Sequence, residues 1–183
     1  MDIKFSVKTI ELAGLKAALE ALRLPFGKEA RSECNFFYDE LQGNVVYRAD
    51  CQVNDKDIKL MTTLMNRGDE HAKVLRGIIV YATIDAPRFW WVEMDTYKIG
   101  TDRLSSESTM HIQGKGLNTE DLVRMKEALP EGTMQKRVQM FSYQTLRRIY
   151  YQRRNHRLPH WQKFCRWIEQ LPYAQELIIN TKE

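Results

Sequence analysis

Across residues 12–24 the apolar side chains Leu12, Leu15, Ala18, Leu19 and Leu22 recur at intervals of three and four, with Pro25 and Gly27 just beyond. Side chains three and four apart share one face of a helix, so the spacing predicts an amphipathic helix that the proline and glycine end. Ahead of it Ile3, Phe5 and Val7 alternate with polar residues up to Ile10, which predicts a half-buried first strand. Residues 36–53 mix aromatics and valines around Gly43 and Asn44, the pattern of two short strands about a turn. Asn54 then caps a helix whose stripe is Ile58, Met61, Leu64 and Met65, with Gly68 as its stop. The run from Gly77 to Ile84 is short, β-branched and nearly unbroken, as a buried central strand requires.

The second half is less regular. Residues 85–98 open with Asp85 as a cap and Pro87 in the first turn, helix-start signals that outweigh the strand reading carried by Phe89, Trp90, Trp91 and Val92. Residues 99–111 are polar and hydroxyl-rich, and nothing in them demands a core position. They read as a loop where donors and acceptors converge on a ligand, or as an ordinary connection with a hydroxyl-stabilised turn. A helix is expected over 118–128, stopped by Pro130 and Gly132. Farther on, Leu146, Ile149 and Tyr150 fall on one helical stripe and Arg147, Tyr151 and Arg154 on another, so one helix can bury one face and present cations on the other. A last helix over 159–171 packs through Trp161, Phe164, Cys165 and Ile168, and residues 173–179 add a further turn.

The chain has 183 residues and 43% hydrophobic content, enough for one core, and shows no internal repeat or low-complexity linker, so a single domain over 1–183 is expected. No apolar run approaches the roughly 20 residues that cross a bilayer, and Lys4, Lys8 and Glu11 interrupt the N-terminal segment, so a soluble, cytoplasmic protein is expected. Cys34, Cys51 and Cys165 are odd in number and far apart, and they read as reduced, buried thiols rather than a disulfide framework or a metal knuckle.

Charge is more informative than composition. Between Glu131 and Glu169 there is no acid, while Lys136, Arg137, Arg147, Arg148, Arg153, Arg154, Arg157, Lys163 and Arg166 all fall there; against a formal +4 for the whole chain, the remainder carries −5. An arginine-dominated cluster suits phosphate or carboxylate, because the guanidinium fork offers paired donors. The alternative is a solvated helix whose arginines meet acids from elsewhere in the fold or from a second subunit. The common glycine-rich, Walker, zinc-protease and serine-hydrolase motifs are absent from the sequence. Tyr143, Tyr150, Tyr151 and Trp161 add stacking candidates to the basic segment, which supports a nucleic-acid binder as a further reading.

The order of features over residues 57–162 resembles the flavin-dependent thymidylate synthases, the ThyX family. There a helix ending in Gly-His precedes a central strand, a helix leads into an Arg-His-Arg signature, a loop carries serines, Asn-Glu and Arg-Tyr, and a late helix supplies an arginine. Here the matching features are the helix ending near Gly68, the strand up to Ile84, the helix after Pro87, the hydroxyl segment from Ser105 to His111, and the late segment from Leu146 to Arg154 followed by His160-Trp161-Gln162. The match covers more than half the chain by order rather than identity. It departs at the signature, where Thr96-Tyr97-Lys98 stand; at Glu93, where a glutamine is expected; at Met110 and His111, where Arg-Tyr is expected; and at Asp69, where the histidine would be.

The resemblance implies an α+β fold, mainly an antiparallel sheet packed with helices, assembled as a homotetramer with sites shared between subunits. It implies reduced FAD passing hydride to a methylenated dUMP, the methylene coming from a folate. It makes Glu93, Ser106, Glu107, Ser108, Arg147, Arg153 and Arg154 the candidate substrate contacts, and Tyr97, Lys98, Arg103 and His111 the candidate cofactor contacts. The lost cations are groups that hold flavin and nucleotide phosphates. A non-catalytic nucleotide-binding protein, a sensor or sequestering form such as a divergent phage-borne member, is therefore the alternative function.

Overall fold

The computed structural model describes residues 3–28, 33–41, 44–68 and 70–179, with backbone alone for 33–52. The chain runs β1 (Ser6–Ala13), α1 (Leu15–Arg23) with a 3₁₀ turn Leu24–Phe26, β2 (Glu33–Leu41), β3 (Asn44–Gln52), α2 (Asp55–Met65), α3 (Val74–Gly77), β4 (Ile79–Pro87) and α4 (Arg88–Met94). It continues through β5 (Thr101–Ser106), α5 (Thr109–Ile112), α6 (Thr119–Glu127), β6 (Met134–Ser142), α7 (Tyr143–Arg153), α8 (Pro159–Glu169) and a π-helical turn Gln175–Ile179. Four strands form an antiparallel sheet in the order β1-β4-β6-β5, and β2 pairs with β3 in a separate hairpin. The fold is α+β, as expected.

Alternation along β4 sets the layers. Val80, Ala82, Ile84 and Ala86 are fully buried, while Ile79, Tyr81, Thr83 and Asp85 are half-exposed on the other face. Helices cover the buried face through aromatic rings: Phe141 of β6 meets Phe164 of α8 at 5.7 Å between ring centres, Phe164 meets Trp90 of α4 at 5.5 Å, and Trp90 meets Trp161 at 4.8 Å. Tilted and edge-on pairs of this kind contribute about 0.5–1.5 kcal/mol each beyond the apolar area they bury. Gly14, at φ +78°, lets α1 close against α3; a Cβ there would lie 2.0 Å from the Gly77 carbonyl oxygen. Arg23 adds a charged tie from α1 to the fully buried Asp57 of α2, with Nε donating to Oδ1 at 2.7 Å.

Several elements differ from the sequence expectation. Leu12 belongs to β1, opposite Val80, and α1 starts only after Gly14. Asp85 does not cap a helix: it lies in β4 between Ser6 and Lys136, and α4 begins three residues later. The polar segment 99–111 is not all loop, because Thr101–Ser106 forms edge strand β5. Strand β6 had no apolar signature, since its inward face carries Arg137 and Gln139 beside Phe141. Asp69 and Gly43 lie outside the described residues. Among the described residues no helix is long and apolar enough to cross a membrane, and no cluster of histidine, cysteine and acidic side chains is fit for a metal.

Candidate functional site

Helices α4, α7 and α8 meet through one cluster of polar side chains. Glu93, in the last turn of α4, accepts through a single oxygen from Arg153 Nη1 at 2.8 Å and from Trp161 Nε1 at 2.9 Å, with His156 Nε2 3.6 Å away. Arg153 Nε donates to the Tyr97 hydroxyl at 2.8 Å, and that hydroxyl donates to Gln152 Oε1 at 2.9 Å. The Arg153 guanidinium also lies 4.5 Å from the centre of the Trp161 ring, and Arg148 comes within 5.8 Å of the Tyr97 ring centre. Charge-assisted bonds of this kind are about twice as strong as neutral ones, so the cluster fixes Arg153 in place.

Asp95 anchors the next cation. Arg137 Nη1 donates to both carboxylate oxygens, at 2.8 and 3.1 Å, and its guanidinium packs 4.2 Å from the Trp91 ring centre. Burial pulls the Arg137 pKa down, and the bond and charge of Asp95 oppose that pull. Two arginines of the basic segment are thus matched by acids more than forty positions away in the chain, Glu93 and Asp95.

The hydroxyl-bearing segment begins where β5 ends, with Ser106 opposite Arg137. Glu107 is held by β6: its Oε2 accepts from the Lys136 backbone N–H at 3.0 Å, and Lys136 Nζ lies 3.8 Å from Oε1. Ser108 is the N-cap of α5, its Oγ accepting from the His111 backbone N–H at 3.4 Å. Besides Lys136, a cation that the sequence did not single out reaches this segment: Lys126 Nζ of α6 donates to the Thr109 hydroxyl. A lysine on an exposed helix carries no local signal, and only the packing of α6 on α5 reveals it.

Lys98, Arg103, Ser106 and His111 are solvent-exposed. Arg147 is half-buried on α7, and Arg154 is exposed with its guanidinium 4.9 Å from the Tyr151 ring centre. Tyr143, Tyr150 and Trp161, read above as base-stacking candidates, are buried, and their polar atoms bond the Pro172 carbonyl, Glu169 and Glu93. Burial first, and the bond to Glu169 next, push the Tyr150 hydroxyl pKa to about 12.

Hollows on the surface of the described residues include the following three. A shallow groove of about 660 Å³ adjoins the Glu93 cluster and is lined by Gln152, Asn155, His156, Arg157 and Leu158. A mainly apolar cavity of about 500 Å³ lies between α1 and the 70–77 segment, with Ala18, Leu22, Phe26 and Leu64 on its apolar walls and His71 and Lys73 among its polar ones. A small hollow of about 270 Å³ is lined by Phe5, Lys163, Arg166 and Trp167. Neither Ser108 nor Arg154 lines any of the three.

This arrangement of sheet and helices has solved counterparts. The flavin-dependent thymidylate synthase ThyX from Helicobacter pylori, complexed with FAD and dUMP, superposes with a TM-score of 0.67 and 14% identity, over 97% of this chain and 100% of that one. A second structure of Helicobacter pylori ThyX with FAD and dUMP gives a TM-score of 0.65 and 14% identity, over 96% and 97% of the two chains. The chain has a ThyX-like fold. No protein-family model matches it, and no curated protein matches it in sequence.

The segment aligned with the Arg-His-Arg signature can be tested against a flavin pyrophosphate. Thr96 Oγ1 donates to the Glu93 carbonyl at 2.7 Å, the Tyr97 hydroxyl is taken by Arg153 and Gln152, and only Lys98 projects a cation into solvent. One ammonium stands where the ThyX signature has two guanidiniums and an imidazole, so residues 96–98 do not fit the group as that signature would hold it.

Proposed function

We propose that the chain is a nucleotide-binding protein on a ThyX-like fold, taking a pyrimidine deoxynucleotide such as dUMP without flavin-dependent turnover. The observation that supports the reading is the superposition along nearly the whole chain on two ThyX structures that hold dUMP. In this reading Ser106, Ser108 and Lys126 donate to the nucleotide from the segment after β5, and Arg147 and Arg154 hold its phosphate from α7. Glu93 and Arg153 form the floor beside them. In a homo-oligomer, α7 of one protomer supplies its arginines to the hydroxyl segment of another.

A second reading, retained methylation of dUMP by a flavin enzyme, is favoured by the FAD in both neighbours. The cationic deficit at 96–98 weighs against it.

The two readings separate on the purified full-length protein. Nucleotide binding without flavin predicts a colourless sample whose melting temperature rises with added dUMP. Ligand at a hundred times its Kd stabilises the native state by about 2.7 kcal/mol. A yellow sample that converts dUMP to dTMP when given reductant and folate would establish the enzyme instead. A colourless sample with neither binding heat nor a thermal shift at millimolar dUMP would overturn both readings.

A further inference from the structure

We infer that Cys34 and Cys51 form a reversible disulfide that clasps the β2–β3 hairpin. In sequence the two cysteines are separated by both strands and suggest no pairing. The antiparallel register changes that, because it sets Cys34 directly opposite Cys51, one step from the open end where Glu33 faces Gln52. The ladder stays in step from Leu41 opposite Asn44 to that end, with no bulge, so the register fixes this opposition along its whole length. Directly opposed residues in an antiparallel pair have Cα atoms about 4.5 or 5.5 Å apart, depending on whether they exchange hydrogen bonds. Both spacings fall within the roughly 4.4–6.8 Å that a disulfide spans.

The place of the pair gives the bond a consequence. Among the described residues the hairpin joins no other strand, and a lone two-stranded ribbon is marginal in water. It is inserted in the chain between Phe26 and α2, and both Phe26 and Leu64 of α2 line the apolar cavity. Just past its second leg the Val53 backbone N–H donates to the Tyr173 hydroxyl at 3.1 Å, tying the exit to the C-terminal segment. A bond from residue 34 to residue 51 shortens the covalent path between two walls of that cavity and holds the ribbon's legs together at its open end.

The chemistry needs a disulfide oxidant, for which oxidised glutathione serves. The thiolate of one cysteine attacks a sulfur of the oxidant, forming a mixed disulfide and expelling one glutathione thiolate. The thiolate of the second cysteine attacks the protein sulfur of that mixed disulfide and expels the other. The two cysteines lose two protons and two electrons, and one oxidised glutathione becomes two reduced ones. Cys165 stays out of the exchange: it is buried on α8, and burial first, with the charge of Glu169, pushes its thiol pKa to about 12.

The test is peptide mapping of the full-length protein after incubation with oxidised glutathione, alkylation in denaturant and digestion without reductant. The expected result is a cross-linked peptide containing Cys34 and Cys51, with the alkylated cysteines falling from three to one and returning to three after dithiothreitol. Cys165→Ser keeps the cross-link, whereas Cys34→Ser and Cys51→Ser each abolish it. Three alkylated cysteines after oxidation, persistent glutathione adducts at both positions, or a bond to Cys165 or to a second chain would overturn the inference.

Discussion

A single carboxylate oxygen of Glu93 lies 2.8 Å from Arg153 Nη1 and also takes the Trp161 indole N–H at 2.9 Å. One acid therefore holds α4, α7 and α8 together, and the same contact neutralises a cation at the heart of the basic segment. Half-burial strengthens the attraction between the pair and weakens the hold of solvent on it. An outside phosphate has to compete with Glu93 for Arg153.

Glu93→Gln tests that competition. The amide oxygen can still accept one hydrogen bond, so the fold is expected to lose only about 1 kcal/mol, while Arg153 is released from its counter-charge. If the site takes a nucleotide, dUMP should bind about tenfold more tightly to Glu93→Gln, within the range of one charge-assisted contact. Calorimetric titration reads this directly, and unchanged or weaker binding would confine Arg153 to a structural role. Glu93→Ala leaves both Arg153 and the indole N–H without their acceptor and should lower stability by about 2 kcal/mol in urea unfolding.

The parts of the fold that were legible in the sequence are those whose apolar faces are complete. Val80, Ala82 and Ile84 announced β4, and Leu146, Ile149 and Tyr150 marked the inward face of α7. Strand β6 escaped because Arg137 and Gln139 occupy core-facing positions, the guanidinium held by Asp95 and the Gln139 amide N–H donating to Thr101, both from distant parts of the chain. Strand β5 escaped because an edge strand exposed to solvent needs no alternation. For the site, the sequence could mark Glu93 and Tyr97 as departures from a signature and Arg153 as a late arginine. That the three meet is a tertiary fact, set by how α4 crosses α7, and no spacing along the chain encodes it.

The contact between Lys126 and Thr109 makes a second expectation about the hydroxyl segment. Lys126→Ala removes the one cation that α6 brings there, from an exposed helix, so stability should change by less than about 0.5 kcal/mol. Affinity for dUMP should fall by about tenfold, the size of a lost charge-assisted contact. Ser108→Ala acts differently, because Ser108 caps α5 and its loss should destabilise by about 1 kcal/mol as well as weaken binding. Thermal melts paired with titrations distinguish the two; full dUMP affinity in both variants would remove this segment from the site.

Close packing of α1 on α3 predicts a sharp contrast between two glycines. At Gly14 a methyl group would fall 2.0 Å from a backbone oxygen at φ +78°, whereas at Gly116, φ +84°, nothing lies within 4 Å. Gly116→Ala should therefore show only the left-handed strain of about 1–2 kcal/mol. Gly14→Ala adds a backbone clash that no rotamer relieves, and should exceed that value by about 2 kcal/mol or fail to fold. Equal denaturation midpoints for the two variants would mean that α1 does not approach α3 this closely.

His160 gives the fold a dependence on pH. Its ring packs edge-on against Phe89 at 5.1 Å and Phe5 at 6.1 Å, and its buried Nδ1 has no hydrogen-bond partner among the described residues. Burial first, and the Lys163 charge second, lower its pKa below the ordinary histidine value. The unfolded chain, with a histidine pKa of about 6.5, then binds the proton at a pH where the native protein does not. Stability contributed by the neutral ring is thus fully present above that value and is lost as pH falls through it toward the native pKa. His160→Phe keeps an aromatic ring in place but has no proton to bind. Between about pH 7 and pH 5 the melting temperature of the native protein should fall more steeply than that of His160→Phe, since every other titrating group is common to both. Parallel curves across that window would show that the imidazolium is tolerated where it sits, and that the unpartnered nitrogen is reached by water.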